Sequence, residues 1–173
     1  QVIAPVNAQV FVIQIGYKDF TENRVLAQIV ATMLNSQDEY RGRVFVRNRS
    51  HDTFTLREQL QNGEIDIYVE YTATGILHLE GQYPDRIREE AAYDPFRSFQ
   101  EISAFDLANN NLVWLPPAPG NNIYAMAVKR EFSEENGITT VQQFADYINA
   151  GNEVFLTGGT EFCDRPDALR AYQ

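Results

Sequence analysis

Apolar and polar positions along the chain follow two rhythms, and the switches between them mark out the elements. Val10-Phe11-Val12-Ile13-Gln14-Ile15 is a continuous apolar run of strand length ended by Gly16-Tyr17-Lys18-Asp19, which predicts a buried strand feeding a loop. Val25, Leu26, Ile29, Val30, Met33 and Leu34 then share one helical stripe, with Thr21 as N-cap and Glu22, Arg24, Gln28 and Asn35 away from it. Val44-Phe45-Val46 reads as a second strand. Thr53 to Leu60 reads as a short helix that turns Phe54, Leu56 and Leu60 inward and is closed by Gly63. Ile65, Ile67 and Val69 alternate with Asp66, Tyr68 and Glu70, the period-two pattern of a third strand running to Tyr71. A β-α-β-α-β series of this kind predicts an α/β fold with a parallel sheet and right-handed crossovers.

Beyond that point the pattern is looser. Gly75 to Leu79 predicts a short helix, and Tyr83-Pro84-Asp85 and Asp94-Pro95 are turn or helix-start signals. The polar stretch after them ends around Ala108-Asn109, and its helices are expected to be peripheral. Asn111 to Leu115 returns to strand character, and Pro116-Pro117-Ala118-Pro119-Gly120 stiffens the chain into an extended segment. The expected division is a first α/β lobe over residues 1–120 and the beginning of a second over 121–173. In the second, Ile123 to Val128 and Val154 to Leu156 read as strands. Thr140 reads as the cap of a helix that turns Val141, Phe144, Ala145 and Ile148 inward, and Arg165-Pro166-Asp167 as a further helix start. About 50 residues with two strands and one good helix bury little core, so the second lobe is expected to be unfinished at Gln173. Gln1 in place of Met suggests a processed or engineered start.

Charge narrows the partners. Fourteen Lys and Arg stand against 24 Asp and Glu, a net charge of −10, which repels phosphate backbones and anionic membrane surfaces. Nucleic acid is therefore not an expected partner. The longest apolar runs fall short of the ~20 residues that span a bilayer, so no direct membrane insertion is expected either. His51 and His78 lie far apart with no Cys or spaced carboxylates beside them, which gives a metal site little support. Ser50-His51-Asp52 is no triad, because adjacent side chains point apart. Gly158-Gly159-Thr160 lacks the remaining glycine and lysine of a phosphate loop. Cys163 is alone and implies no disulfide. No cofactor and no enzymatic activity are expected.

What remains is binding chemistry at a strand end. Tyr71, Thr72 and Thr74 arrive where the third predicted strand finishes, the edge at which open α/β sheets bind ligands. Four stretches together resemble one family: Ile15-Gly16-Tyr17-Lys18-Asp19-Phe20-Thr21-Glu22; Asn62 through Thr74; Asn111-Leu112-Val113-Trp114-Leu115-Pro116-Pro117-Ala118-Pro119 leading into Asn121-Asn122-Ile123-Tyr124-Ala125-Met126-Ala127-Val128; and Thr160-Glu161-Phe162-Cys163-Asp164-Arg165-Pro166-Asp167. In order and spacing the chain resembles the substrate-binding proteins of osmoprotectant ABC importers, the glycine betaine, choline and carnitine class with the type II periplasmic-binding-protein fold.

The resemblance implies a two-lobed, extracytoplasmic clamp that takes a small quaternary ammonium ligand and presents it to an ABC permease in the membrane. It also implies site residues. Tyr71 and Tyr124 match cage tyrosines, suited to a trimethylammonium group that cannot donate hydrogen bonds. Lys18, Thr74 and Arg165 match polar contacts to the ligand's other end. Two departures stand out: His51-Asp52-Thr53 replaces the family's usual Gly-Gly-Thr, and Ala73 replaces a usual glycine. The family also continues with further cage tyrosines and a return to the first lobe. A structural or accessory subunit that keeps the scaffold without high-affinity ligand binding is the alternative.

Overall fold

The computed structural model describes residues 11–79, 94–165 and 168–169. The chain divides into two compact units, Gln1–Gly120 and Asn121–Gln173. The signals at Tyr83-Pro84-Asp85, Val10 and Pro166-Asp167 lie outside the described residues.

The first unit begins with β1 (Ile13–Ile15), α1 (Thr21–Asn35), β2 (Val44–Val46) and α2 (Thr53–Gln61). β1 and β2 pair in parallel with Ile13 opposite Val44 and Ile15 opposite Val46. The predicted third strand is cut down to an extended segment that makes a single parallel bridge, Ile15 to Ile67. Asp66 N–H donates to the Gln14 carbonyl at 2.8 Å and Gly16 N–H to the Ile67 carbonyl at 2.9 Å. Beyond Ile67 its polar groups serve side chains instead of a ladder.

Helix α1 turns inward only part of the stripe that its bulky residues predict. Val25, Ile29 and Met33 are exposed, while Asn23, Ala27 and Ala31 are buried. Small residues at four-residue spacing let the helix approach the sheet closely, and larger neighbours fill the flanks. The core here joins Ile15, Tyr17, Ala27, Ala31 and Val44, with Val30 and Leu34 packed against it. Asparagines pin both ends of the helix: Asn23 Nδ2 donates to the Val69 carbonyl at 2.9 Å and Asn35 Nδ2 to the Val44 carbonyl at 2.8 Å. Thr21 does not cap α1; Phe20 occupies that position without a side-chain bond. The exposed stripe lines an open groove of about 620 Å³ between Thr21 and Ser36.

Asp52 caps α2, accepting from the N–H groups of Phe54 and Thr55, so one departure from the family pattern supplies an N-cap. These bonds, with one from the Thr55 hydroxyl, outweigh partial burial and hold the Asp52 carboxyl below its usual range. Leu56 is buried but Phe54 is exposed, because its ring leaves the core to stand edge-on to His78. Gly63 takes a φ of +72° just after the helix, the left-handed conformation that the Asn62-Gly63 signal predicts.

A second cluster forms where α3 (Thr72–Leu77) meets α4 (Pro95–Asn109). Ile76, Leu79 and Ile102 are buried, with Phe105 and Trp114 packed on them. Asp94 caps α4 and Pro95 starts it, as the Asp94-Pro95 signal predicts. Far from peripheral, α4 carries fully buried Ser98, Ile102 and Asp106. Asn111 to Leu115 forms no strand. Asn111 has a φ of +54°, Leu112 N–H returns to the Asp106 carbonyl, and Val113 and Leu115 face out. The alternation is real, but its inward member, Trp114, packs on helices and not across a ladder.

Gly75 sits inside this cluster. A Cβ there would meet Trp114 Cη2 at 2.7 Å and Ile102 Cγ1 at 3.2 Å. Gly75→Ala gains roughly 1 kcal/mol of helix propensity, but the forced shift of an indole in a packed core outweighs it. A net loss of about 1–2 kcal/mol is expected in denaturant unfolding followed by Trp114 fluorescence.

In the second unit, α5 (Arg130–Asn136), α6 (Val141–Asn149) and α7 (Thr160–Asp164) are the described elements. Thr140 and Gln143 form a reciprocal capping box on α6, the cap that Thr140 predicts. Phe144 and Ala145 are half-buried, but Val141 and Ile148 are exposed. Phe132 and Tyr147 join α5 to α6 edge-to-face at 5.5 Å. The strands expected over Ile123 to Val128 and Val154 to Leu156 are absent among the described residues. Ile123 and Phe155 stand exposed, so these apolar runs lack the neighbouring strand that gives such a run its ladder.

Candidate functional site

The end of β1 and the segment leading into α3 bring together the polar groups of the first unit. Gly16 lets them approach: a Cβ there would lie 2.7 Å from both Ile65 Cδ1 and Leu56 Cδ2. After Gly16 and Tyr17, the Lys18 N–H donates to Asn23 Oδ1 at 2.8 Å, and Lys18 also bridges to His51. Because Asn23 bonds Val69 as well, one buried amide ties the Lys18 loop to the Glu70 segment.

Glu70 is the centre of this arrangement. Its Oε1 accepts from the Lys18 ammonium and from the Tyr71 N–H at 2.8 Å. Its Oε2 accepts from the Thr53 hydroxyl at 2.9 Å and lies 3.5 Å from His78 Nε2. Lys18 is 1% exposed and Thr53 fully buried. Burial alone would push the Glu70 carboxyl up; the His78 ring, the Lys18 charge and the Tyr71 N–H outweigh it and hold the group down to about 2. The Tyr68 phenol is driven the other way, upward, by burial and by the charge of Glu70. His78 Nε2 is buried without a completed hydrogen bond.

Tyr71 occupies the N-cap position of α3. Its hydroxyl donates to Glu22 Oε1 at 3.0 Å, its ring lies 6.1 Å from that of Phe20, and the Lys18 ammonium stands 5.2 Å from the ring centroid. Thr74, one helical turn along, is buried at 7% exposure. Lys18 and Tyr71 are thus brought together, and Lys18 and Thr74 are not exposed loop residues. In the second unit, Tyr124 is 46% exposed with its ring edge-to-face with Phe162 at 5.0 Å, and Arg165 is buried at 7% exposure.

Residues 12–173 match the family described as the substrate-binding domain of the ABC-type glycine betaine transport system. The chain belongs to this family. Its relatives include the glycine betaine-binding protein YehZ of Escherichia coli, 29% identical over 163 residues that cover 93% of this chain and 50% of YehZ. A glycine-betaine-binding protein of Pseudomonas aeruginosa is 30% identical over 168 residues, covering 94% of this chain and 50% of that protein. The solved structure of apo YehZ superposes with a TM-score of 0.55 at 29% identity over 93% of this chain and 54% of that one. The chain spans about half the length of the curated relatives it matches. The likeness to YehZ bears out the α/β, periplasmic-binding-protein fold expected from the sequence. Substrate binding for transport, and not catalysis, is the described work of the glycine betaine family. No helix among the described residues is long and apolar enough to cross a membrane.

Sequence reasoning missed Glu70, Asn23 and Thr53 as organisers of the site. Glu70 was visible only as a member of the polar face shared with Asp66, and Asp66 turns away to accept from the Gln14 N–H. The available signal was position: a carboxylate immediately before Tyr71-Thr72, in a segment whose alternate residues are apolar.

Proposed function

We propose that this chain is part of an extracytoplasmic solute-binding protein that captures a quaternary ammonium osmoprotectant of the glycine betaine, choline or carnitine type for an ABC importer, with no catalytic role and no cofactor. The observation that carries this reading is the setting of Tyr71. Its phenol donates to the Glu22 carboxylate and its backbone N–H to the Glu70 carboxylate. A positioned, electron-rich ring suits a quaternary ammonium ion, which donates no hydrogen bond. Matches to glycine betaine-binding proteins in two organisms support it. In this reading Tyr71 and Tyr124 are cage rings, and Lys18, Thr74 and Arg165 meet the ligand's polar end. An ABC permease is the partner.

Calorimetry with glycine betaine, choline and carnitine tests the assignment on the protein as the cell makes it. Binding of at least one is expected, and Tyr71→Ala is expected to weaken it by about tenfold, the share of one desolvated ring in a cage. Heat from none of the three, or an affinity untouched by Tyr71→Ala, would leave the scaffold without this function.

A further inference from the structure

We infer that Glu70 is a positioning residue that sets ligand preference, by neutralising Lys18 and so disfavouring ligands that carry a carboxylate. The inference rests on the proposed quaternary ammonium site and concerns a residue that does not itself meet the ligand.

Lys18 is the cation that the first unit offers to a ligand's anionic end, and it is not presented as an uncompensated charge. Its ammonium is bonded to Glu70, and the two side chains are 2% and 5% exposed. Glu70 is in turn held in place from several elements: Thr53 of α2 on one oxygen, the Tyr71 N–H at the start of α3 on the other, and His78 after α3 within 3.5 Å. A carboxylate anchored this way cannot swing aside when a ligand arrives. A ligand carboxylate approaching Lys18 therefore meets a buried ion pair of zero net charge, and it must compete with Glu70 for the ammonium and accept the repulsion of a second carboxylate. A ligand bearing only the quaternary ammonium avoids both penalties. The Lys18 ammonium held by this bond stands over the Tyr71 ring, 5.2 Å from its centroid.

Two ligands that share the trimethylammonium group and differ in the other end separate this role from a structural one. With glycine betaine and choline measured by calorimetry at neutral pH, Glu70→Gln leaves Lys18 without its counter-ion. The ratio of affinities is expected to move toward glycine betaine by about tenfold or more relative to the unmutated protein. Loss of both affinities by the same factor, or an unchanged ratio, overturns the inference and leaves Glu70 a purely structural residue. If Glu70→Gln does not fold, Glu70→Asp keeps the charge but draws it back from Lys18. It is expected to shift the ratio in the same direction by about threefold, and an unshifted ratio again overturns the inference. Absence of binding by either ligand to the unmutated protein is a separate result, which overturns the proposed function and not this role alone.

Discussion

Asp106→Ala is expected to destabilise the first unit by about 3–5 kcal/mol, the scale for removing one partner of a buried ion pair. Asp106 is fully buried on α4 and accepts from both terminal nitrogens of Arg57 on α2, one of them at 2.9 Å. It also accepts from Trp114 Nε1–H at 2.6 Å and Asn110 Nδ2 at 2.8 Å. Burial alone would raise the Asp106 carboxyl, but these donors hold it below its usual range. Arg57 is pushed up in turn, its bond and charge interaction with Asp106 overcoming burial. Truncation leaves a guanidinium and an indole N–H buried without their acceptor, which is where the large effect comes from. Replacing both partners, Arg57→Met with Asp106→Leu, is expected to recover most of the loss, since an apolar pair carries no desolvation penalty. Trp114 is the one tryptophan of the chain and bonds directly to Asp106, so its fluorescence reports this unit during denaturant unfolding. A loss below about 1 kcal/mol in Asp106→Ala would show that the pair is not the tie between α2 and α4 that its geometry implies.

Legibility in the sequence divides along the same physical line as burial. Elements whose apolar residues meet a surface within the first 80 residues came through: β1, α1, β2 and α2 follow from their runs and stripes, and local turn chemistry at Asn62-Gly63, Asp94-Pro95 and Thr140 was readable because caps depend on neighbouring residues alone. What was not readable is which face of α1 is buried. Periodicity weights bulk, so it favours the whole stripe of Val25, Leu26, Ile29, Val30, Met33 and Leu34, whereas close helix-to-sheet contact selects Asn23, Ala27 and Ala31, with Val30 and Leu34 beside them. Alternation likewise could not tell a ladder from Trp114 packing on helices, nor show that Ile123 and Phe155 would stand exposed. Lys18 and Tyr71, which the fold brings together, could be named from the pattern they share with a family. Their organiser could not, because the bonds from Lys18 and Thr53 to Glu70 join residues far apart in the chain. Glu70 looks like any solvated strand residue until the fold closes around it.

That burial makes Glu70 the group to watch in acid. Its folded-state pKa, about 2, lies below the ordinary 4.5, so the stability it contributes is complete above the unfolded value and is lost as pH falls through the folded one. A shift of that size corresponds to roughly 3 kcal/mol, present at neutral pH and gone by about pH 2. Asp106 is also depressed and adds loss of the same sign. The Tyr68 phenol facing Glu70 does not reverse this, because it is pushed away from that window. Unfolding free energy followed by Trp114 fluorescence is therefore expected to fall steeply between about pH 5 and pH 2.5, and Glu70→Gln, less stable at neutral pH, is expected to show a distinctly shallower fall. An equal slope in the two proteins would mean that Glu70 is not ionised and paired in the folded state. That outcome would also remove the charge balance on which its effect upon ligand preference depends, so the acid titration and the two-ligand assay examine one buried carboxylate by independent routes.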